Sequence, residues 1–188
     1  GQARVVLSTV ASNLRDCAPF ASLHRLGLTE AQLRQWRLEF DSGCQAQAAG
    51  NHAVAAASFR RAAQIDDQFA ELHFRWAQSA RALKQFEDAR RHYELARDCD
   101  ALKFRADSRL NALIRQAAGR REAEGIFLAD AEAELMRQSP EGICGQEWFW
   151  EHVHFTFEGN YHLARIIVQQ VEAALPASVR ATAESSAE

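Results

Sequence analysis

Small and aromatic residues recur with a fixed spacing in the middle of the chain. A shift of 34 residues places 43–66 on 77–100 without a gap, with Phe59 falling on Tyr93. This spacing predicts a helical repeat in which each unit is a hairpin of two helices. Small side chains allow the helices to approach closely, and one aromatic ring per unit fills the space between hairpins. The other equivalent pairs are Gly43 and Ala77, Ala55 and Ala89, Ala62 and Ala96, Ile65 and Cys99, and Asp66 and Asp100.

Two such hairpins are predicted between residues 36 and 101, and polar residues mark the ends of their helices. Thr29 followed by Gln32 has the form of a capping box, which predicts a helix that begins near Glu30. Asn51 is expected to cap the second helix. Two repeats are fewer than the roughly three that usually make a stable array, so flanking structure has to contribute.

A further helix is predicted over residues 104–118, where apolar side chains share one face. Gly119 follows this run and is expected to end the helix. We expect this helix to cover the exposed side of the second hairpin, as the terminal helix of a repeat array does.

The two ends of the chain follow a different pattern. Residues 4–10 and 125–130 are short apolar runs, and they predict two buried strands. The second run leads into a helix over 131–137, and a last apolar helix over 160–175 is ended by Pro176. A strand, a helical excursion, another strand and a closing helix are typical of half of an open parallel sheet.

The predicted fold class is mainly α, with two repeats and a capping helix inserted into a partial α/β parallel-sheet remnant. The boundaries are 1–28 for the first strand and loop, 29–119 for the helical insertion, 120–176 for the rest of the sheet domain, and 177–188 for a disordered tail. Two strands alone do not make a stable parallel layer, so further structure is expected before Gly1.

The repeated segment resembles the tetratricopeptide repeats. The family pattern Trp-x-x-Leu-Gly-x-x-Tyr stands here as Glu39-x-x-Ser42-Gly43-x-x-Ala46 and as His73-x-x-Trp76-Ala77-x-x-Ala80. The resemblance implies a module for protein–protein interaction. Its expected peptide-binding residues are Arg75, Gln78 and Arg81, on the first helix of the second hairpin. Self-association through the insertion is an alternative.

The stretch 151–164 resembles the C-terminal block of the SGNH (GDSL-like) hydrolases, in which an acid precedes the catalytic histidine by three residues. His154, with Glu151 before it and Gly159 after it, matches this spacing. The resemblance implies that His154 is a general base and that Glu151 orients it. The alternative for His154 is a loop histidine bound to the backbone.

The same resemblance covers the loop after the first strand. Ligands of open α/β sheets bind at the carboxyl ends of strands, so Asn13 and Arg15 are expected to line a cleft. The family's Gly-Asp-Ser block, which carries the nucleophile, has no counterpart in this chain. A base and an acid without a nucleophile cannot transfer an acyl group, so this chain alone is expected to be inert. The full-length protein is the candidate esterase or acyltransferase.

The same stretch offers two weaker alternatives. One alternative is a zinc site, because His-x-His suits metal ligation and His152, His154 and His162 lie near Cys144 in sequence, but we predict no metal and no cofactor. The aromatic run 148–150 is expected to anchor the loop in the core, with a substrate platform as the alternative.

Composition excludes several classes of function. The formal net charge of −3 gives no electrostatic footprint for nucleic acid. No run approaches the roughly 20 apolar residues of a membrane span, and no signal peptide is visible. The four cysteines are far apart in sequence and are expected to be free, partly buried thiols. The chain starts with Gly1, so its localisation stays open.

Overall fold

The computed structural model describes residues 3–176 and 179. In this part of the chain the fold is mainly helical, with one small parallel sheet, as predicted. The elements are β1 (Val5–Ser8), α1 (Glu30–Ala48), α2 (His52–Ile65), α3 (Ala70–Ala82), α4 (Phe86–Asp98), α5 (Ser108–Ala118), β2 (Ile126–Ala129), α6 (Ala131–Gln138) and α7 (Phe157–Ala174). The predicted tail, 177–188, lies outside the described residues apart from Val179.

Helices α1 and α2 form the first hairpin. The predicted capping box starts α1, because the Thr29 hydroxyl accepts from the Gln32 backbone while the Gln32 side chain accepts from the Thr29 backbone. Asn51 precedes α2, but its side chain makes no capping hydrogen bond, so the prediction is wrong for that side chain. Gly50 makes the turn with a φ of +76°, a conformation that glycine adopts without strain.

The small residues lie where the helices cross. A Cβ built on Gly43 would lie only 2.4 Å from a ring carbon of Phe59, so α1 and α2 touch through a glycine. The second hairpin, α3 with α4, has the buried pair Ala77 and Tyr93 at the equivalent positions. Leu72 of α3 packs in a buried cluster with residues of the first hairpin, which are Trp36, Ala55, Phe59 and Ala62.

The two strands pair in parallel, from Val5 with Ile126 to Ser8 with Ala129. Both strands are shorter than predicted, but their pairing confirms the predicted sheet. Helix α7 packs on both strands, and α6 packs on α7. The core between these elements consists of Ala11, Ala129, Ala131, Leu135, Cys144, Trp148, Phe149 and Ile166.

Helix α5 differs from the prediction in its start and in its packing. It begins later than predicted, at Ser108, because the Asp107 carboxylate accepts from the Leu110 backbone and caps the helix. Its packing partners are β1 and β2, so the prediction that it covers the second hairpin is wrong. The buried Asn111 explains this position, because its amide pairs with both backbone groups of Val10 at 2.8 and 2.9 Å.

The last helix begins earlier than predicted. The Thr156 hydroxyl accepts from the Gly159 backbone at 3.0 Å, so α7 starts at Phe157 and not at Asn160. It ends at Ala174, close to the predicted stop.

Helix α4 joins the hairpins to the sheet-containing half. Tyr93 packs with Leu14 and Ile143, which come from two loops of the sheet-containing half, in one buried cluster. Burial raises the pKa of Tyr93 to about 12. Close by, Arg97 donates to Glu132 at 3.0 Å with side chains that are only 1% and 11% exposed. Two loops and α6 therefore contact α4, and α5 meets it at Ser108.

Candidate functional site

The residues predicted for peptide binding lie along one side of α3. Arg75, Gln78 and Arg81 follow one another at a spacing of three, which places them on neighbouring turns. Gln78 is exposed, and the two arginines are partly exposed. Arg75 pairs with Glu71, one turn earlier, at 2.7 Å. This side of α3 therefore combines charged and amide groups.

The extended segment 18–28, here called the strap, runs past the ends of both hairpins. The buried carboxylate of Asp100 accepts from two successive strap N–H groups, beginning with Phe20, at 2.8 and 3.1 Å. The buried carboxylate of Asp66 accepts from the His24 ring at 2.7 Å and from the next backbone N–H at 3.3 Å. The 34-residue shift relates the two aspartates, so each predicted repeat contributes one equivalent contact to the strap.

A cleft of about 540 Å³ opens between the strap and α3. The Ser22 hydroxyl accepts from the Glu71 backbone at 2.9 Å and fixes one rim of the cleft. Aromatic rings, a guanidinium and an amide together are a composition that suits a peptide ligand. The cleft is lined by Ala18, Pro19, Phe20, Ala21, Ser22, Phe69, Glu71, Phe74, Arg75 and Gln78.

A second cleft, of about 530 Å³, shares Gln78 with the first and lies towards the end of α3. Arg81 borders this cleft and forms an ion pair with Glu141. Arg15 borders the cleft as well and forms an ion pair with Asp16 at 3.0 Å. The structure thus brings the three predicted residues of α3 to the edges of two adjoining clefts, together with Arg15.

The other residue predicted to line a cleft, Asn13, has different surroundings. It is 2% exposed, and its side-chain oxygen accepts from the Asp16 backbone at 2.9 Å. Its backbone N–H donates to the carbonyl of His152 at 3.0 Å. Asn13 therefore holds the loop after β1 against the histidine block and does not face an open cleft.

Glu151 lies between two imidazole rings. One carboxylate oxygen contacts Nδ1 of His154, and the other contacts Nδ1 of His152. The His154 side chain is 79% exposed, so its remaining nitrogen is open to solvent. Partial burial, His154 and Arg105 lower the pKa of His152. The structure brings the predicted pair, His154 and Glu151, into contact and adds His152 to it.

Aromatic rings border this histidine block. The ring of Phe20, from the strap, meets the ring of Phe104 at 5.3 Å and that of His152 at 5.0 Å, both edge to face. Phe104 is 62% exposed, so the block adjoins an apolar surface. Sequence reasoning missed this neighbourhood, because contacts between residues far apart in the chain, such as Phe20 with Asp100, bring the strap to it.

The neighbouring aromatic run divides into core and surface. Trp148 and Phe149 are buried as predicted, but Trp150 is 70% exposed, so the prediction of an anchor is wrong for that residue. His162 packs on Trp148 at 4.8 Å. Cys144 is buried in the same core, and burial raises its pKa to about 11. In the described part of the chain, no three His, Cys, Asp or Glu side chains are grouped for a metal.

A buried histidine pair in the second hairpin also escaped the sequence analysis. The Nδ1 atoms of His73 and His92 are 3.1 Å apart, and both residues are almost fully buried. A signal was present, because His92 follows Ala89 by three residues on the apolar face of α4. A search for catalytic spacings does not detect it, because the two histidines come from different helices.

Comparison with known proteins gave no match: no family model, no curated protein and no solved structure is significantly similar to this chain. Among residues 3–176 and 179, no helix has the length and apolar character needed to cross a bilayer. The clefts along α3 and the Glu151–His154 pair are therefore the basis for assigning a function.

Proposed function

We propose that α1–α4 are two tetratricopeptide-type repeats that bind an extended peptide segment of a protein partner along α3. The observation that carries the proposal is the pair of adjoining clefts bordered by Arg75, Gln78 and Arg81. These residues combine hydrogen-bonding and charged groups with neighbouring aromatic rings, which suits recognition of a peptide backbone and its side chains.

Equivalent residues of the two hairpins support the repeat assignment. Asp66 and Asp100 both hold the strap through their carboxylates. Phe59 and Tyr93 both occupy buried positions at the helix crossings of their own hairpins. A shared register in which equivalent positions make equivalent contacts is the expected property of a structural repeat.

The dimensions of the groove define the ligand. Helix α3 has 13 residues. At 1.5 Å per residue it spans about 20 Å, which accommodates about six residues of extended chain. Phe69 and Phe74 make the first cleft suitable for an apolar side chain. Arg75 and Arg81 are each paired with a glutamate, so a ligand carboxylate would compete with Glu71 and Glu141 for them. The expected ligand is a short segment with one apolar residue beside hydrogen-bonding residues.

Heptapeptides selected by display on the wild-type chain test this proposal. Their affinity is measured by fluorescence anisotropy for the wild type and for the triple variant Arg75→Ala, Gln78→Ala and Arg81→Ala. We expect binding to weaken at least tenfold. Arg137→Ala, on the exposed side of α6, is the matched control and should leave the affinity unchanged. Equal affinities for the triple variant and the wild type would exclude this groove as the site.

A second candidate function has its own supporting observation. Glu151 contacts Nδ1 of His154 and leaves the other ring nitrogen open to solvent, which is the orientation that a general base needs. We propose that this pair serves an SGNH-type ester hydrolase or acyltransferase in the full-length protein. The chain alone is expected to be inert, because none of its residues matches the family's nucleophile block.

Labelling of the full-length protein with a fluorophosphonate tests the second candidate. The expected result is a labelled serine whose labelling is lost in His154→Ala and kept in His162→Ala. Absence of labelling, or labelling that is indifferent to His154, would reject the hydrolase and leave peptide binding as the function.

A further inference from the structure

The buried pair in the second hairpin forms a chain of hydrogen bonds that uses all four ring nitrogens. His73 Nε2 donates to the carbonyl oxygen of Asp67 at 2.6 Å, so Nδ1 of a neutral His73 is an acceptor. His92 Nδ1 donates to it at 3.1 Å. The guanidinium of Arg91 then donates to His92 Nε2 at 3.4 Å. This arrangement requires both rings to be neutral.

An additional proton has no suitable position in this chain of bonds. On His73 Nδ1 it would set two N–H groups against each other, and on His92 Nε2 it would face the guanidinium of Arg91. Either position loses a hydrogen bond and places a charge in a site where both histidines are only 2–3% exposed. The ring of Trp76 lies 3.9 Å from that of His92 and closes the site further.

The charged groups around the pair act in opposite directions. Arg91 on α4 and Arg60 on α2 oppose protonation, whereas Asp66 and Asp67, in the connection to α3, favour protonation of His73. The Asp66 carboxylate is also engaged by the strap. Burial prevails, since it lowers the pKa of both histidines, to about 3 for His92.

We propose that His73 and His92 form an acid-sensitive latch between α3 and α4. Only a state in which the two helices have separated accepts protons readily, so acid favours separation. The first turn of α3 holds the strap through Ser22, and one side of α3 lines the first cleft. Separation of α3 from α4 therefore loosens the strap and the cleft. A change in peptide affinity on separation rests on the proposed function. The acid sensitivity of the contact between α3 and α4 does not depend on that function.

The ordinary pKa of histidine sets the size of the effect. A histidine with a pKa of about 6.5 in the separated state and a much lower one in the closed state raises the separated population about 30-fold between pH 7.5 and pH 5.0. His73 adds to this increase, because burial lowers its pKa in the closed state as well.

Hydrogen exchange without any peptide tests the latch. Between pH 7.5 and pH 5.0, after correction for intrinsic rates, we expect protection of the α3 and α4 amides to fall at least 30-fold (the single-histidine estimate above). Amides of α6 and α7 should keep their protection. The double variant His73→Gln and His92→Gln should lose this dependence on pH, whereas His24→Gln, in the strap, should retain it.

A measurement on the wild type alone covers the case in which the double variant does not fold. The ¹⁵N shifts of the two imidazole rings report their protonation directly. We expect both rings to be neutral at pH 5.0 in the closed state, with His73 protonated on Nε2 and His92 on Nδ1. Titration of either ring at its ordinary pKa, or unchanged protection of α3 and α4 at pH 5.0, would overturn the latch. Peptide binding that fails at both pH values would reject the proposed function and leave the latch intact.

Discussion

At the crossing of α1 and α2, Gly43 leaves room for a single aromatic ring. Replacing it with alanine removes a helix-destabilising glycine, which is worth about 0.5–1 kcal/mol in favour of the variant. The added Cβ, however, would lie 2.4 Å from the ring of Phe59, which is fully buried. Overpacking of this kind costs about 1–3 kcal/mol, so we expect Gly43→Ala to lower the free energy of unfolding.

Urea unfolding measures this change. The matched control is Gln45→Ala, an exposed substitution on the same helix, which should leave the free energy of unfolding nearly unchanged. Equal stability of Gly43→Ala and the wild type would contradict the close approach of the two helices.

The buried pair of Asp100 and Arg105 predicts a larger effect. Both side chains are 3% exposed, and Arg105 also donates to the carbonyls of Asn13 and Cys17 at 3.0 Å. Asp100→Asn would leave the guanidinium buried without its counter-charge, which costs about 3–5 kcal/mol. Thermal unfolding should show a large decrease in Tm. Glu124→Gln breaks the exposed pair with Arg121 and should leave Tm unchanged.

Local residue patterns were predictable, and distant contacts were not. The capping box of Thr29 and Gln32 lies within four residues, so the sequence alone contains both partners. Asp100 holds Phe20 across 80 positions, and no local pattern marks either residue as a partner of the other. The contact of Glu151 with His154 was predictable because one turn of chain joins them, whereas Phe104 and the strap reach that block only through the tertiary fold.

Among the elements, α5 shows most clearly how charge positions a helix. Arg115 donates to Asp130 at 2.8 Å and to Glu132 at 2.9 Å, which ties α5 to the start of α6. Its guanidinium holds the pKa of Asp130 below the ordinary value of 3.8. The pair is about one-third exposed, so its contribution is about 1 kcal/mol.

The sign of the pKa shift fixes the pH at which this contribution acts. A carboxyl whose pKa is depressed in the folded state stabilises the fold above its unfolded pKa, and the stabilisation is lost as the pH falls below it. Arg115→Met should therefore lower the free energy of unfolding by about 1 kcal/mol at pH 7. The difference from the wild type should shrink below pH 3.8, as measured by urea unfolding across the pH range. A difference that does not depend on pH would show that Arg115 acts through packing alone.

The parallel pairing of β1 with β2 and the two hairpins were predictable from periodicity, but the position of α5 was not. Its apolar face, with Leu110 and Leu113, suggested a cover for the second hairpin, yet these side chains are 44% and 51% exposed. The buried polar residue Asn111 determines the packing instead, because its amide completes the hydrogen bonds of Val10. Apolar periodicity does not reveal a helix that is positioned by polar groups, here the Asn111 amide and the Arg115 guanidinium.

In the whole molecule, one buried cluster joins the second hairpin to the sheet-containing half. Ile143, with no exposed surface, packs in the cluster that contains Tyr93 and Leu14. Ile143→Ala should cost about 2–5 kcal/mol because it leaves a cavity. We expect urea unfolding of this variant to remain a single cooperative transition, in which α4 and α7 lose their structure together at a lower urea concentration than in the wild type.

Val54→Ala, at an exposed position of α2, is the control and should change the stability little. Independent unfolding of the two halves in Ile143→Ala would show that the joining cluster does not couple them. The mainly helical class was predictable from the sequence. The cluster that joins the two halves was not, because Leu14 and Ile143 lie in loops without any apolar periodicity.

The long separation of β1 and β2 along the chain has a consequence during synthesis. At about 5–20 residues per second, Ile126 leaves the ribosome roughly 6–24 s after Ser8, so the first strand is present long before its partner. The contacts within α1–α4 are local and form quickly. Once folded, the compact hairpins shorten the distance along which the chain must close to bring β2 next to β1. The order of translation therefore leaves β1 as an unpaired nascent strand until the hairpins have formed.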